Sequence, residues 1–186
     1  MKKYEIAKKK TLTPEIGQIS VYAPLVAAKA KAGQFIILRV DEEGERIPLT
    51  ISSAADGLVT VIYQKIGGTT LALDQLGEGD CLHDFVGPLG VPTEVEGYGR
   101  VAVLGGGLGC AIALPVARAL HMEDGVLALT GSILLRDKAV REGTAALLRM
   151  RFPGMRLAEP KSDAAAGAAL LALETLNTEK GENKNA

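Results

Sequence analysis

Near residue 97 the sequence changes its grammar, and one regular architecture does not absorb both halves. Before that point the chain reads as short strands broken by turns. Tyr4–Ala7 alternates, Gly17–Tyr22 is rich in strand formers, and Gln34–Val40 runs into the turn Asp41-Glu42-Glu43-Gly44. Ile47–Ser52 follows, then Leu58–Gln64 with a period of two, and Thr69–Leu76 has the composition of one short helix. Gly, Pro and Asp punctuate this stretch about every ten residues, the rhythm of a small antiparallel barrel.

After that point the period lengthens. Arg100–Leu104 is an apolar strand signal, followed by Gly105-Gly106-Gly107-Leu108-Gly109 and a helical stretch to Leu120. Gly125–Thr130 reads as a buried strand, Lys138–Met150 as a helix, Met155–Ala158 as a strand and Ala164–Leu176 as an Ala- and Leu-rich helix. That order is βαβαβα, the pattern of a parallel sheet carrying helices. The expected fold class is therefore a β-barrel plus α/β. It comprises an antiparallel barrel over 1–97, a truncated parallel domain over 98–176 and a polar, disordered tail over 177–186. The link Thr93–Gly99 marks the boundary, and no internal repeat is present.

Charge excludes some functions. Twenty-one basic against 22 acidic residues leave a net charge of -1. That is no footprint for nucleic acid or an anionic membrane. The pairs and triplets Lys2–Lys3 and Lys8–Lys10 read as a solvated terminal face. Cys81 and Cys110 belong to no C-x-x-C pair, so neither a structural zinc nor an iron–sulfur cluster is expected in this chain. Few cysteines and no leader-like apolar stretch point to a reducing, cytoplasmic setting. The apolar run 111–120, with Pro115 and Arg118, is too short to span a bilayer.

Four segments carry chemistry. In Arg46-Ile47-Pro48-Leu49-Thr50-Ile51 the arginine offers a planar fork of donors suited to a diphosphate. Thr50 lies on the same strand face as Arg46, and Pro48 implies an edge, or a place where a ligand replaces ladder bonds. The plain alternative is an exposed, salt-bridging arginine. Gly67-Gly68-Thr69-Thr70 follows a strand and opens a helix, so its backbone N–H groups can approach phosphate. An ordinary glycine turn with a threonine cap would read the same way. Gly87-Pro88-Leu89-Gly90 is by itself a turn. Gly105, Gly106, Gly107 and Gly109 sit where a dinucleotide phosphate turn belongs. The strict fingerprint has glycine where Cys110 stands, and the second strand ends at Thr130 without an acidic ribose clamp, so a tight strand-to-helix turn remains an alternative. Cys110 reads as a small packing residue and His83 as a solvent-facing loop residue; neither receives a catalytic role.

Together and in this order, these segments resemble the FAD-binding barrel of the ferredoxin–NADP reductase superfamily. More narrowly they resemble the electron-transfer subunits of dihydroorotate dehydrogenase and of NADH-dependent ferredoxin–NADP oxidoreductase. The matching stretches are Lys31–Phe35, RIPLTI at 46–51, YQKIGGTT at 63–70, GPLG at 87–90 and VAVLGGGLG at 101–109. The resemblance implies FAD, with Arg46 on its phosphates and Pro48, Leu49 and Thr50 bordering the isoalloxazine. It puts Tyr63, Gln64 and Lys65 along the ribityl or adenosine side and gives the pyrophosphate to Gly67, Thr69 and Thr70. The family often carries a lysine or similar residue where Gly68 stands. NAD(P)H at the second glycine turn is implied too.

Beyond residue 130 the chain departs from that family. Gly125–Leu176 resembles the C-terminal end of BadF/BcrA-type ATPases, through Gly131, Ser132, Phe152–Gly154, Pro160, Asp163, Gly167 and Ala168. Three functions follow. The first is an FAD-dependent oxidoreductase subunit passing electrons between a nicotinamide cofactor and a flavin or iron–sulfur partner. The second is a non-catalytic FAD-binding or docking subunit, and the third an ATP-binding fragment. A truncated parallel sheet exposes an edge, so association with a larger redox subunit, or with a second copy, is expected.

Overall fold

The computed structural model describes residues 2–98, positions 101, 103 and 105, and residues 108–122, 126–128, 138–151, 153–154 and 156–158. The chain falls into two compact units, Met1–His121 and Met122–Ala186.

The first unit is built on β1 (Ile6–Thr13), β2 (Ile16–Tyr22), β3 (Phe35–Arg39), β4 (Ile47–Ala55), β5 (Leu58–Gln64) and β6 (Asp84–Leu89). These antiparallel strands lie in the order β1-β2-β5-β4-β3-β6. The segment before β6 returns to the start of β1. Ile6 N–H donates to the Asp80 carbonyl at 2.8 Å, Gly79 N–H to Ile6 at 2.9 Å, and Glu5 bridges to Cys81. The sheet thereby curls into a barrel.

Alternation supplies its core. Along β5, Val59, Val61 and Tyr63 are fully buried while Leu58, Thr60, Ile62 and Gln64 lie on the other face. Ile19, Ile36, Leu38 and Phe85 fill the same interior. The β4–β5 hairpin turns on Asp56 and Gly57, both at positive φ (54° and 76°), as a two-residue turn of type I′ requires. Among its described residues are three helices: the single turn α1 (Pro24–Ala27), α2 (Gly68–Gln75) and α3 (Gly109–Ala119), which packs against β4.

Two readings of the sequence need correction. Gly87-Pro88-Leu89-Gly90 is no free turn, because its first three residues end β6, where Leu89 pairs with Phe35. Glycine is needed at 87, since a Cβ there would fall 2.6 Å from Cγ2 of Ile36. Lys8–Lys10 are part of β1, and only Lys8 and Lys10 are solvated. The Lys9 ammonium crosses to α2, donating to the carbonyls of Asp74 and, at 2.7 Å, Leu76.

Lys9 is one arm of a polar cluster that ties α2 to the barrel. Asp74 Oδ1 accepts from the Tyr63 hydroxyl at 3.0 Å, and Oδ2 pairs with Lys65 Nζ at 2.9 Å. Burial works to raise the pKa of this carboxyl. The hydrogen bonds from Lys65 and Tyr63 and the charges of Lys65 and Lys9 outweigh it, holding Asp74 below its usual 3.8. Burial first, and then the hydrogen bond to Asp74 and its charge, push the Tyr63 phenol well above its ordinary value. The ring sits directly beneath Gly17, whose Cβ would approach Tyr63 Cζ to 2.5 Å.

In the second unit β7 (Val126–Ala128) and β8 (Arg156–Ala158) pair in parallel, joined through α4 (Lys138–Arg151). Parallel neighbours need such a crossover. Of the strand expected at Arg100–Leu104, only Val101 and Val103 are described, and they are not in a strand. The helix expected at Ala164–Leu176, the tail from 177 and most of the ATPase-like segment lie outside the described residues.

Asp74→Asn should lower stability by about 2 kcal/mol, since hydrogen bonds to a charged group are lost. A lowered folded-state pKa means the contribution is complete above the ordinary aspartate range and disappears as pH falls through the folded value, below 3.8. Urea unfolding at neutral and acid pH checks both: the wild-type advantage should shrink at the acid end.

Candidate functional site

The ladder between β4 and β5 is incomplete. β5 pairs with β2 over its whole length, out to Ile16↔Gln64, but with β4 only from Leu58 to Val61. β4 in turn pairs with β3 over Ile47–Thr50 and meets β5 only from Ile51 onward. A register shift between Ile51 and Ser53 marks where the two strands part, the bend that a β-bulge produces. One lip of the opening is therefore Arg46–Thr50. The other is the end of β5 with the start of α2.

Pro48 lies on the first lip, paired with Ile37 on one side, as expected of a proline that donates nothing to a second neighbour. Ile51 N–H donates to the Gln34 carbonyl at 3.0 Å on the β3 side. Peptide groups alternate along a strand, so the Thr50 N–H points the opposite way, into the opening. Pro48 is exposed, and Leu49 and Thr50 are half-buried.

Arg46 stands at the head of this lip with 60% of its side chain exposed, and donates from Nη2 to Asp84 Oδ2 at 2.8 Å. The salt-bridging arginine of the plain reading is thus present, with the rest of the guanidinium facing solvent. Arg39 Nε lies 3.0 Å from the same oxygen.

On the second lip the N-cap of α2 is Gly67, not a threonine. Thr70 Oγ accepts from Gly67 N–H at 3.0 Å and donates back to the Gly67 carbonyl, closing the turn on itself. A glycine cap has no side chain to cover the first N–H groups of the helix, which leaves its positive end open. A Cβ on Gly68 would meet nothing within 4 Å. Packing does not explain this glycine, which faces open space.

Of the residues expected along the ribityl or adenosine side, Tyr63 and Lys65 have side chains engaged with Asp74. Tyr63 is fully buried under Gly17, and the Lys65 side chain is 11% exposed and committed to Asp74. Gln64, on the outward face of β5, stays at the lip. The period of two along Leu58–Gln64 already put Tyr63 with Val59 and Val61. Asp74, Arg39 and Asp84, which hold the site residues, were missed because their partners are distant in sequence.

Gly105 packs against the start of α3: its Cβ would approach the Cα of Cys110 to 3.0 Å, and Cys110 Sγ lies 3.4 Å from its carbonyl. That close approach accounts for Gly105, while Cys110 is exposed and not a core residue. Gly109 has open space, while Gly106 and Gly107 lie outside the described residues. His83 is exposed. Among the described residues no group of three metal-ligating side chains occurs, and no helix is long and apolar enough to cross a membrane.

No protein-family model matches the chain. It is 42% identical over 118 residues to the dihydroorotate dehydrogenase B (NAD(+)) electron transfer subunit homolog of Thermotoga maritima, covering 62% of this chain and 42% of that one. It is 32% identical over 133 residues to the dihydroorotate dehydrogenase B (NAD(+)) electron transfer subunit of Streptococcus pneumoniae serotype 4, covering 68% and 52%. Among solved structures, the NADH-dependent reduced ferredoxin–NADP oxidoreductase studied for flavin-based electron bifurcation superposes with a TM-score of 0.64. Its identity is 39%, over 70% of this chain and 50% of that one. The chain thus spans about half the length of the relatives it matches. The six-stranded barrel, the order of its motifs and these likenesses establish that the chain belongs to the ferredoxin reductase-like superfamily.

Proposed function

We propose that the first unit binds FAD in the opening between β4 and β5, and that the protein is the flavin-bearing component of an electron-transfer system. It would carry electrons between a nicotinamide cofactor and a flavin or iron–sulfur partner. One observation carries the reading: the parted ladder brings an arginine, a free strand edge and an uncapped helix N-terminus to one opening. The relatives' names, electron transfer subunit and NADH-dependent oxidoreductase, support it.

Bound FAD would supply the redox chemistry, accepting a hydride and passing electrons onward. The chain's residues bind and orient. Arg46 offers charge-assisted donors to the phosphates. Pro48, Leu49 and the Thr50 backbone N–H border the isoalloxazine, with Thr50 toward its reactive edge. Gln64 flanks the ribityl or adenosine side. The open N–H groups of Gly68 and Thr69, beside Gly67, receive the pyrophosphate, and Thr70 holds that turn in shape. No side chain is assigned as acid or base. The Gly105–Gly109 turn, which leads into α3 within the first unit, is the proposed contact for the nicotinamide cofactor. A larger redox subunit is the proposed partner.

Reconstitution with FAD should give a yellow protein, and Arg46→Ala should weaken FAD by about tenfold or more, the loss of one charge-assisted contact. A protein that stays colourless overturns the proposal. Gly68→Ala meets no neighbour, so its melting temperature should be unchanged or raised while FAD binds less tightly. Unaltered FAD affinity would remove the phosphate from that turn. Rapid mixing of the FAD-loaded protein with NADH should bleach the flavin absorbance; absence of bleaching with NADH and NADPH would restrict the role to flavin binding.

A further inference from the structure

Arg46 has competing partners close at hand, because Asp41, Glu42, Glu43 and Glu45 all precede it in the β3–β4 turn. Among the described residues, none of these four forms an ion pair with it. It pairs instead across β3 with Asp84, the first residue of β6. Asp84 is itself paired: it lies in register with Arg39, and Oδ2 is 3.0 Å from Arg39 Nε, an ion-pair contact without hydrogen-bond alignment. Arg39 is anchored in its turn, 17% exposed and donating from Nη1 to the Glu42 carbonyl at 2.8 Å.

The contact to Arg46 is monodentate: one N–H of five is used. Within this trio two guanidiniums face one carboxylate, so one positive charge stays uncompensated. A long, exposed side chain held at one corner gives up little of its donor fork, and the entropy of ordering it is already partly spent.

We infer that Asp84 is a positioning residue for Arg46, turning its guanidinium away from the acidic turn and presenting its free donors to the diphosphate of the flavin. The inference rests on the FAD reading above. It differs from a plain surface ion pair, which would leave ligand affinity unaffected. It differs also from a competing anion, whose removal would tighten phosphate binding.

Fluorescence titrations with FAD and with riboflavin, which lacks phosphate, separate these. Asp84→Ala should weaken FAD by about tenfold and leave riboflavin unchanged, and the effect should vanish in an Arg46→Ala background. Asp84→Asn keeps an acceptor without the charge and should fall between, at about threefold; it carries the test if Asp84→Ala does not fold. Unchanged or tighter FAD binding in the variants overturns the inference. So does equal weakening of FAD and riboflavin, or a loss that adds to that of Arg46→Ala. Wild-type protein that binds no FAD would instead overturn the reading beneath it.

Discussion

One strand shared unequally between two neighbours governs this fold. β5 stays with β2 to its last residue but leaves β4 halfway, and the bulge near Ser52 is where the separation starts. A fully paired sheet would have satisfied the backbone of Ile47–Thr50 on both sides and left no place for a ligand. Half-pairing gives up ladder hydrogen bonds, which native strands tolerate at an edge or beside a bound group. The barrel absorbs this because its closure comes from elsewhere, through the Glu5–Cys81 bridge and the bonds of Ile6.

The same economy appears in α2. Its first turn is left without a side-chain cap, while its far end is secured by Lys9, Lys65 and Tyr63 converging on Asp74 and by Lys9 on Leu76. Stability is concentrated at the end that faces the barrel and relaxed at the end that faces the opening. Residues of the first kind are expected to govern unfolding and those of the second to govern binding.

Much of this was readable beforehand. Alternation exposed β2, β3 and β5 within a residue or two, and the motif order pointed to the barrel. Where reading failed, the cause was physical. Gly87 and Pro88 carry poor strand propensity, and the pairing of Val86 and Leu89 with β3 on either side keeps them in β6. Lys9 looks solvated because its partners, the carbonyls of Asp74 and Leu76, lie far along the chain. The burial of Tyr63 follows from the period of two along its own strand. The Arg39–Asp84–Arg46 trio is a tertiary contact for which no local pattern exists.

The seam that closes the barrel has a kinetic consequence. The β1–β2 and β4–β5 pairs are hairpins between neighbours in sequence, whereas the bridge from Glu5 to Cys81 joins the two ends of the barrel segment. Loop-closure entropy makes such a distant contact form late, after the hairpins exist. The ring would then be the last part of the first unit to assemble. A ligand spanning both lips would bind the finished ring in preference to its open precursors, and so draw the slow step forward by mass action.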